Sequence, residues 1–269
     1  MKNLLFTFIL TLLSALTSAQ TFSNISIAEA STVCSIAQDE QGMVWLGTEG
    51  GLYSYDGYRT IPHNTSANGT TIATRIHSML VSHNIIYMGT ERGLLVYDIR
   101  SGRYKQPLGQ SPKDIRAGTL HEGRLWMGSA TGLYSCSLAA NDIRLENRQL
   151  QNVYSLLSTP RGLLVGTLGG LALRLPNGSM RRISIGNSPQ PLVNALTPDR
   201  GTQDVWIGTE GALYRYDWRT FQPVAPLAGN SIKSLALHGD NIYAGTDNGM
   251  FIYNKVTNAV RHALHDSRS

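Results

Sequence analysis

The sequence predicts an all-β fold, a propeller of four-stranded antiparallel blades, and three observations predict it. A motif recurs six times with a period of about 40 residues. Each copy has the composition of short strands separated by turns, and no stretch sustains the 3.6-residue apolar period of a helix. Short antiparallel strands repeated at this period are typical of propeller blades.

The motif itself is an apolar or aromatic pair, then Gly-Thr or Gly-Ser, a short turn, and a Gly-Leu-Tyr-like strand. The six copies are VWLGTEGGLYSYD, IYMGTERGLLVYD, LWMGSATGLYSCS, LLVGTLGGLALRL, VWIGTEGALYRYD and IYAGTDNGMFIYN. Their Gly-Thr or Gly-Ser pairs begin at Gly47, Gly89, Gly128, Gly166, Gly208 and Gly245, at spacings of 42, 39, 38, 42 and 37 residues.

Each copy divides into four strands in chain order. The first is apolar and covers residues 33–39, 76–82, 153–159 and 232–238 in the four clearest copies. A turn rich in Asp, Gly, His and Asn leads to the second strand, which holds the aromatic residue and ends in Gly-Thr. A short turn then leads to the third strand, and a weaker fourth strand leads to the next copy.

The second strand is predicted to be covered on both faces. A large apolar residue stands two positions before the repeat glycine, and the following residue, on the other face of the sheet, is apolar as well. Burial of one such Trp contributes roughly 2–3 kcal/mol. The repeat positions with this structural role include Trp45, Gly47, Thr48, Trp126, Gly128, Trp206, Gly208 and Thr209. An aromatic platform for sugars is the alternative for the column, but its periodicity favours the structural role.

Composition and charge exclude several classes of protein. The chain of 269 residues has 42% hydrophobic and 15% charged residues, which fits neither disordered nor fibrous proteins. Its formal charge of +5 comes from basic residues scattered along the chain. The charge therefore indicates no nucleic-acid partner and no membrane-binding surface.

The first 19 residues have the pattern of a cleavable signal peptide. Lys2 precedes an apolar stretch over residues 4–13, and the small residues Thr17 and Ala19 follow. The stretch is too short to span a bilayer comfortably, which disfavours a retained membrane anchor. We expect cleavage after Ala19, a propeller domain over residues 20–269, and a periplasmic or secreted location.

Residues 33–57, VCSIAQDEQGMVWLGTEGGLYSYDG, resemble the two-component regulator propeller repeat. The matching positions are Asp39, Gly42, Trp45, Gly47, Thr48, Gly51, Leu52 and Tyr53. The third copy departs by using Ser129 for the threonine and the fourth by using Leu164 for the aromatic residue. The resemblance covers residues 21 to about 265, nearly all of the chain after the predicted signal peptide.

The resemblance implies the periplasmic sensor region of a hybrid two-component histidine kinase of the Bacteroidetes type. It also implies a glycan fragment as ligand and pairing of propellers between two protomers. The chain itself lacks kinase motifs, so we expect a module that is not an enzyme.

The number of strands predicts a ring larger than six blades. Residues 21–28 precede the first copy and have no blade of their own. In many propellers an N-terminal strand completes the last blade. We therefore expect that the six blades are part of a seven-bladed ring and that the chain is incomplete at its C-terminus. The alternative is a six-bladed ring closed by direct contact of the first and last blades.

Motifs of the common catalytic and cofactor sites are absent from the sequence. It has no dinucleotide-binding or phosphate-binding glycine loop, no nucleophile elbow and no His-Glu-x-x-His helix. We therefore predict no catalytic residues, no cofactor and no metal.

The turns that follow Gly-Thr are the best candidates for ligand contact. They should lie on one rim near the propeller axis, where loops carry function. Their charged residues are Glu49, Glu91, Arg92, Glu210 and Asp247. An acidic residue here can also simply shape a tight turn. Tyr58 and Trp218, each beside an arginine and outside the aromatic column, are further candidates for stacking on a sugar.

The sequence therefore predicts a periplasmic, ligand-sensing propeller that responds to glycan fragments. One alternative is a stand-alone secreted enzyme, a polysaccharide lyase or glycosidase, which would need a stronger rim cluster of His, Tyr, Arg and carboxylates. The other is a scaffold that binds protein.

Overall fold

The structure, a computed structural model, describes residues 32–65, 69, 71–105, 111–140, 142–186 and 189–263. In this part of the chain six four-stranded antiparallel sheets follow one another, which confirms the predicted propeller. We call these sheets blades 1 to 6 in chain order. The predicted signal peptide and the segment 21–28 lie outside the described residues, so both stay predictions.

Within each blade the strands pair in chain order. Blade 1 consists of β1 (Val33–Gln38), β2 (Val44–Thr48), β3 (Gly51–Tyr55) and β4 (Thr60–Pro62). Blade 2 consists of β5 (Ile76–Ser82), β6 (Ile85–Thr90), β7 (Gly93–Asp98) and β8 (Arg103–Lys105). Blade 3 consists of β9 (Ile115–His121), β10 (Arg124–Ser129), β11 (Gly132–Cys136) and β12 (Arg144–Asn147).

The remaining blades have the same layout. Blade 4 consists of β13 (Val153–Thr159), β14 (Gly162–Thr167), β15 (Gly170–Arg174) and β16 (Met180–Ile183). Blade 5 consists of β17 (Val193–Pro198), β18 (Val205–Thr209), β19 (Leu213–Tyr216) and β20 (Phe221–Pro223). Blade 6 consists of β21 (Ile232–His238), β22 (Asn241–Thr246), β23 (Gly249–Asn254) and β24 (Val260–Ala263).

The first strand of each blade is the inner strand, because the first strands of successive blades lie side by side around the axis. Three of them, β5, β13 and β21, have the bounds that the sequence predicted. The helical content of the described residues is a single short 3-10 turn, Ala225–Leu227. A helix long and apolar enough to cross a membrane is not found in the described part of the chain.

The aromatic column is buried between blades, as predicted. Trp45, Trp126 and Trp206 are 2–3% exposed. Their indole N–H groups are satisfied from the turn between the first and second strands: Trp45 Nε1 donates to Asp39 Oδ2 at 2.9 Å and Trp206 Nε1 donates to Asp199 Oδ2 at 3.1 Å. The column therefore serves packing between blades and not an exposed sugar platform.

The repeat glycine is required because the next blade packs directly on it. A Cβ on Gly89 would lie 2.6 Å from Cγ2 of Ile115, and one on Gly208 would lie 2.6 Å from Cγ2 of Ile232. Both isoleucines begin the inner strand of the following blade and are 0–1% exposed. The Gly-on-Ile or Gly-on-Val contact therefore forms the part of each blade interface nearest the axis.

The threonine after the glycine shapes the turn to the third strand. Thr48 Oγ1 donates to Gly51 O at 2.9 Å and accepts from Gly50 N at 3.1 Å, and Thr209 Oγ1 donates to Ala212 O in the same way. These turns lie at one end of every blade, which we call the Gly-Thr rim. Because the strands are antiparallel, the turns between the third and fourth strands lie at the opposite rim.

Blades 1 and 6 do not repeat the contact that joins the other neighbours. Among the described residues, five clusters of buried side chains join blades 1 to 6 in succession, and none joins blade 6 to blade 1. Val33 is 38% exposed where its counterparts are buried, and a Cβ on Gly245 would meet only Ser234 of its own blade. Among the described residues the Gly-on-Ile or Gly-on-Val contact is therefore not repeated between blades 6 and 1, although Leu46 on the same face of blade 1 is buried.

Candidate functional site

A β-bulge recurs at the second residue of every inner strand. In each blade the pairing between the first two strands shifts register at this residue, which is left out of the ladder. A bulge re-aims one side chain and is common beside functional sites. The six bulge residues are Cys34, His77, Arg116, Tyr154, Asn194 and Lys233. One polar or reactive side chain per blade therefore lies at the Gly-Thr rim, close to the axis.

The residues around each bulge explain why it forms. In blade 2, Ile76 packs on the preceding blade at Gly47, and Ser78 lies beside Gly89 of its own blade. Both neighbours of His77 are thus packed against glycines, and the His77 side chain points away from these contacts toward the Gly-Thr rim. Ile or Val before the bulge and Ser or Ala after it recur in all six inner strands.

The bulge residues of blades 2 to 4 form one connected cluster. His77 Nε2 lies 3.3 Å from Asp114 Oδ1, and Arg116 Nη2 lies 2.5 Å from Asp114 Oδ2. The Arg116 guanidinium also lies 4.7 Å from the centroid of the Tyr154 ring, and its Nη1 donates to Asn152 Oδ1 at 3.5 Å. We call His77, Asp114, Arg116, Asn152 and Tyr154 the rim cluster.

Backbone geometry supports the rim cluster. Asp114 and Asn152 each precede an inner strand and have φ of 54° and 50°, in the left-handed region that Asp and Asn tolerate best among residues other than glycine. The backbone N–H of Asp114 donates to Glu91 O, and that of Asn152 donates to Ala130 O. The backbone of both residues is therefore anchored to the turn of the preceding blade.

Of the two basic residues in the rim cluster, His77 is neutral and Arg116 is positively charged. Burial lowers the pKa of His77, and the attraction of Asp114 only partly opposes it, so His77 is neutral at pH 7. Burial also disfavours the charge on Arg116, but the hydrogen bond and charge of Asp114 outweigh it and the pKa of Arg116 is raised. The cluster can therefore offer a neutral imidazole, a phenol and a fixed guanidinium to a polar ligand.

The predicted charged candidates all lie on the Gly-Thr rim. Glu49 forms an ion pair with Arg75 of blade 2, and Asp247 Oδ2 lies 3.3 Å from Lys233 Nζ. Glu91 Oε1 lies 3.9 Å from Arg92 Nε, and Glu210 N donates to Leu192 O. Glu49 and Asp247 thus contact residues at or near a bulge, so they lie beside the bulge residues on the Gly-Thr rim.

The two aromatic candidates lie at the opposite rim. Tyr58 is in the turn after β3 and is 96% exposed, and Trp218 is in the equivalent turn of blade 5. Trp218 is half-buried, with Arg161 4.9 Å from its ring centroid and its Nε1 donating to Gln203 O at 2.8 Å. Arg161 therefore packs on Trp218 and leaves it only partly exposed. Neither aromatic residue joins the charged candidates in one site.

Sequence reasoning missed the bulge residues, although a signal for them exists. Aligned on the Ile or Val that begins the inner strand, the copies read VCS, IHS, IRA, VYS, VNA and IKS. The flanking positions are restricted and the middle position varies in chemistry. When the residue type varies between two restricted core positions, the varying side chain is not part of the packed core.

Comparison with protein families agrees with the fold. The family model described as Two component regulator propeller matches residues 28–50. A search of curated proteins found no match.

Solved structures extend the similarity over most of the chain. Two crystal structures of the extracellular domain of BT4673 from B. thetaiotaomicron are 38% and 39% identical, with TM-scores of 0.81. One is described as a proposed one component system and the other as a proposed hybrid two component system. Both cover 93% of this chain, whereas this chain spans only 36% of theirs.

A third structure shares the fold at lower identity. The extracellular domain of the proposed hybrid two component system BT3049 from B. thetaiotaomicron is 20% identical, with a TM-score of 0.71. It covers 87% of this chain, which spans 35% of it.

Proposed function

We propose that the chain is a ligand-sensing propeller in the periplasmic region of a hybrid two-component system, and the match of residues 28–50 to the two-component regulator propeller family supports this. The proposed ligand is a glycan fragment, and the proposed output is a histidine kinase in another part of the system. The similarity to the extracellular domain of BT4673 supports this assignment, as does the predicted signal peptide over residues 1–19.

The observation that carries the proposal is the ring of bulge residues on the Gly-Thr rim. It presents hydrogen-bond donors and acceptors and one aromatic ring from neighbouring blades, the combination that holds sugars. The positions around it are set by packing between blades, so the side chains are positioned before a ligand arrives.

We also propose that a seventh blade completes the ring. The unmatched contact positions, Val33 on blade 1 and Gly245 on blade 6, are the two halves of the contact that closes every other interface. A further blade would supply an Ile or Val for Gly245 and a glycine for Val33. Pairing of complete propellers between two protomers stays a prediction, to be checked by the mass of the protein in solution.

A thermal-shift panel of neutral and acidic oligosaccharides tests the sensor proposal. At least one oligosaccharide should raise the melting temperature of the wild-type chain, because a ligand that binds only the folded state stabilises it. The double variant His77→Ala/Arg116→Ala should lose that shift, and Tyr58→Ala, at the opposite rim, should keep it. A panel without any shift, or a double variant that responds like wild type, would contradict the proposal.

A secreted polysaccharide lyase or glycosidase is the second candidate, favoured by the composition of the rim cluster. His77 could serve as a general base and the Tyr154 hydroxyl as a general acid, beside the Arg116 cation and the Asp114 carboxylate. Incubation with a polysaccharide panel would then release products, and His77→Ala would abolish their release. Loss of product release in Glu49→Gln or Glu91→Gln would show that these carboxylates take part in catalysis. Ligand binding without product leaves the sensor proposal as the better account.

A further inference from the structure

A cavity of about 240 Å³ opens on the Gly-Thr rim between blades 3 and 4. It lies between the loop that leads into β13, the turn after Thr167 and the outer strand β16. Asn152 lines it and also accepts a hydrogen bond from Arg116, so the cavity borders the rim cluster. Its volume is below the roughly 300–1,000 Å³ of pockets for drug-sized molecules, which suits one sugar unit of a longer chain.

The polar groups that line the cavity are available to a ligand. Gln149, Gln151 and Arg182 are exposed. Within the described part of the chain, their amide and guanidinium groups make no hydrogen bond or ion pair with the protein. The Arg182 guanidinium lies against the turn, since a Cβ on Gly169 would be 3.8 Å from its Nη1.

The charge of the rim is also different in this sector. The residue after Gly-Thr or Gly-Ser is acidic in blades 1, 2, 5 and 6, but it is Ala130 in blade 3 and Leu168 in blade 4. An anion that approaches the cavity therefore meets Arg182 without a neighbouring turn carboxylate. Leu168 is 53% exposed beside it and offers an apolar surface.

Building on the proposed sensor function, we propose that this cavity binds the uronic acid unit of an acidic oligosaccharide. The carboxylate would pair with Arg182, because a planar guanidinium binds a planar carboxylate through two parallel hydrogen bonds. The amides of Gln149 and Gln151 would take the hydroxyl groups, and the apolar face of the sugar ring would lie on Leu168.

The neighbouring arginine is a matched control for Arg182. Across β15 and β16, Arg182 pairs with Ala172 and Arg181 pairs with Leu173. Ala172 belongs to the cluster between blades 3 and 4, whereas Leu173 belongs to the cluster between blades 4 and 5. Since paired residues share a face of the sheet, Arg181 has the same charge and exposure but lies on the side away from the cavity.

Isothermal titration of the full chain with oligogalacturonides and with their carboxyl-reduced, neutral counterparts tests the proposal. The acidic form should bind about tenfold or more tightly than the neutral form, as expected for charge-assisted hydrogen bonds. Arg182→Gln should remove this difference with little effect on binding of the neutral form. Arg181→Gln should bind both forms like wild type.

Five results would overturn the proposal. Equal affinity for acidic and neutral forms would mean that the carboxylate is not recognised. Equal losses in Arg181→Gln and Arg182→Gln would mean that only net charge matters, as would equally tight binding of a sulfated oligosaccharide without uronic acid. Binding of neutral oligosaccharides alone would overturn this inference and leave the sensor proposal standing, whereas the absence of any binding would remove both.

Discussion

The five interfaces between successive blades and the unmatched faces of blades 6 and 1 are made from the same repeat but have different surroundings. In each closed interface an Ile or Val of one blade covers the repeat glycine of the preceding blade and is 0–1% exposed. At the open faces Val33 is 38% exposed and Ile36 is 68% exposed. Each blade thus provides a glycine for the interface on one side and an Ile or Val for the interface on the other. Where the partner blade is missing, the apolar side chain is exposed to water.

Stability and binding depend on different positions of the repeat. The rim cluster and the cavity both lie where closed interfaces hold neighbouring blades together, in blades 2 to 4. The glycine and apolar positions that recur in every blade pack between blades. The bulge position, whose residue type varies, faces the Gly-Thr rim. Substitutions at the two kinds of position should therefore have different effects.

The largest effect is expected from a methyl group placed inside a closed interface. Gly208→Ala brings a Cβ to 2.6 Å from Ile232 Cγ2 and should lower the free energy of unfolding by about 3 kcal/mol. Gly245→Ala meets only the Ser234 hydroxyl, which can rotate, and should lower it by less than about 1 kcal/mol. Urea unfolding of both variants measures the difference, and equal losses would mean that the face of blade 6 is packed as tightly as the others.

The buried ion pair between blades 5 and 6 provides a second test. Lys255 Nζ lies 2.9 Å from Asp199 Oδ1, and Asp199 also accepts from Trp206. Asp199→Asn should lower the free energy of unfolding by about 2 kcal/mol because it removes the negative charge that pairs with Lys255. Asp39→Asn, whose carboxylate holds Trp45 in the same way without a lysine, should lose about 1 kcal/mol. If urea unfolding showed equal losses of unfolding free energy in the two variants, the ion pair would contribute nothing to stability.

The same carboxylate predicts a dependence on pH. Burial would raise the pKa of Asp199, but the hydrogen bonds from Lys255 and Trp206 outweigh it and the pKa is lowered. A lowered pKa contributes stability above the unfolded value of about 4, and that contribution is lost as pH falls through the folded value. Below pH of about 4 the wild type should therefore lose more stability than Asp199→Asn. Parallel acid titrations of the two proteins would contradict this.

The smallest effect is expected on the open face of blade 1. Ile36→Ser should change the free energy of unfolding by less than about 0.5 kcal/mol, because the side chain is already 68% exposed. Leu156, at the same position of blade 4, packs between blades 3 and 4, and Leu156→Ser should lose about 2 kcal/mol. A large loss in Ile36→Ser would show that this face is covered in solution.

The repeat made most of the fold predictable from the sequence. Gly and the aromatic residue before it recur because packing between blades requires both, so the inner strands over 76–82, 153–159 and 232–238 could be placed to the residue. The position of Glu49, Glu91, Glu210 and Asp247 on one rim followed from the same alignment.

The site was harder to predict because it depends on details that hydrophobic pattern does not record. A β-bulge changes the direction of one side chain without changing the apolar pattern, so His77 and Arg116 were missed. Trp218 reads as an exposed aromatic residue, but Arg161 of the preceding blade covers it. The cavity combines loop, turn and outer-strand residues, Asn152, Leu168 and Arg182, whose proximity only the structure reveals.

Hydrogen–deuterium exchange would show whether ligand binds at the Gly-Thr rim of blades 2 to 4. The exchange would be compared with and without the oligosaccharide that gives the largest thermal shift. We expect slower exchange over residues 114–116, 149–154 and 167–169, with the opposite-rim turns at 56–59 and 217–220 unchanged. Protection confined to those opposite turns, or unchanged exchange in all of these segments at saturating ligand, would contradict it.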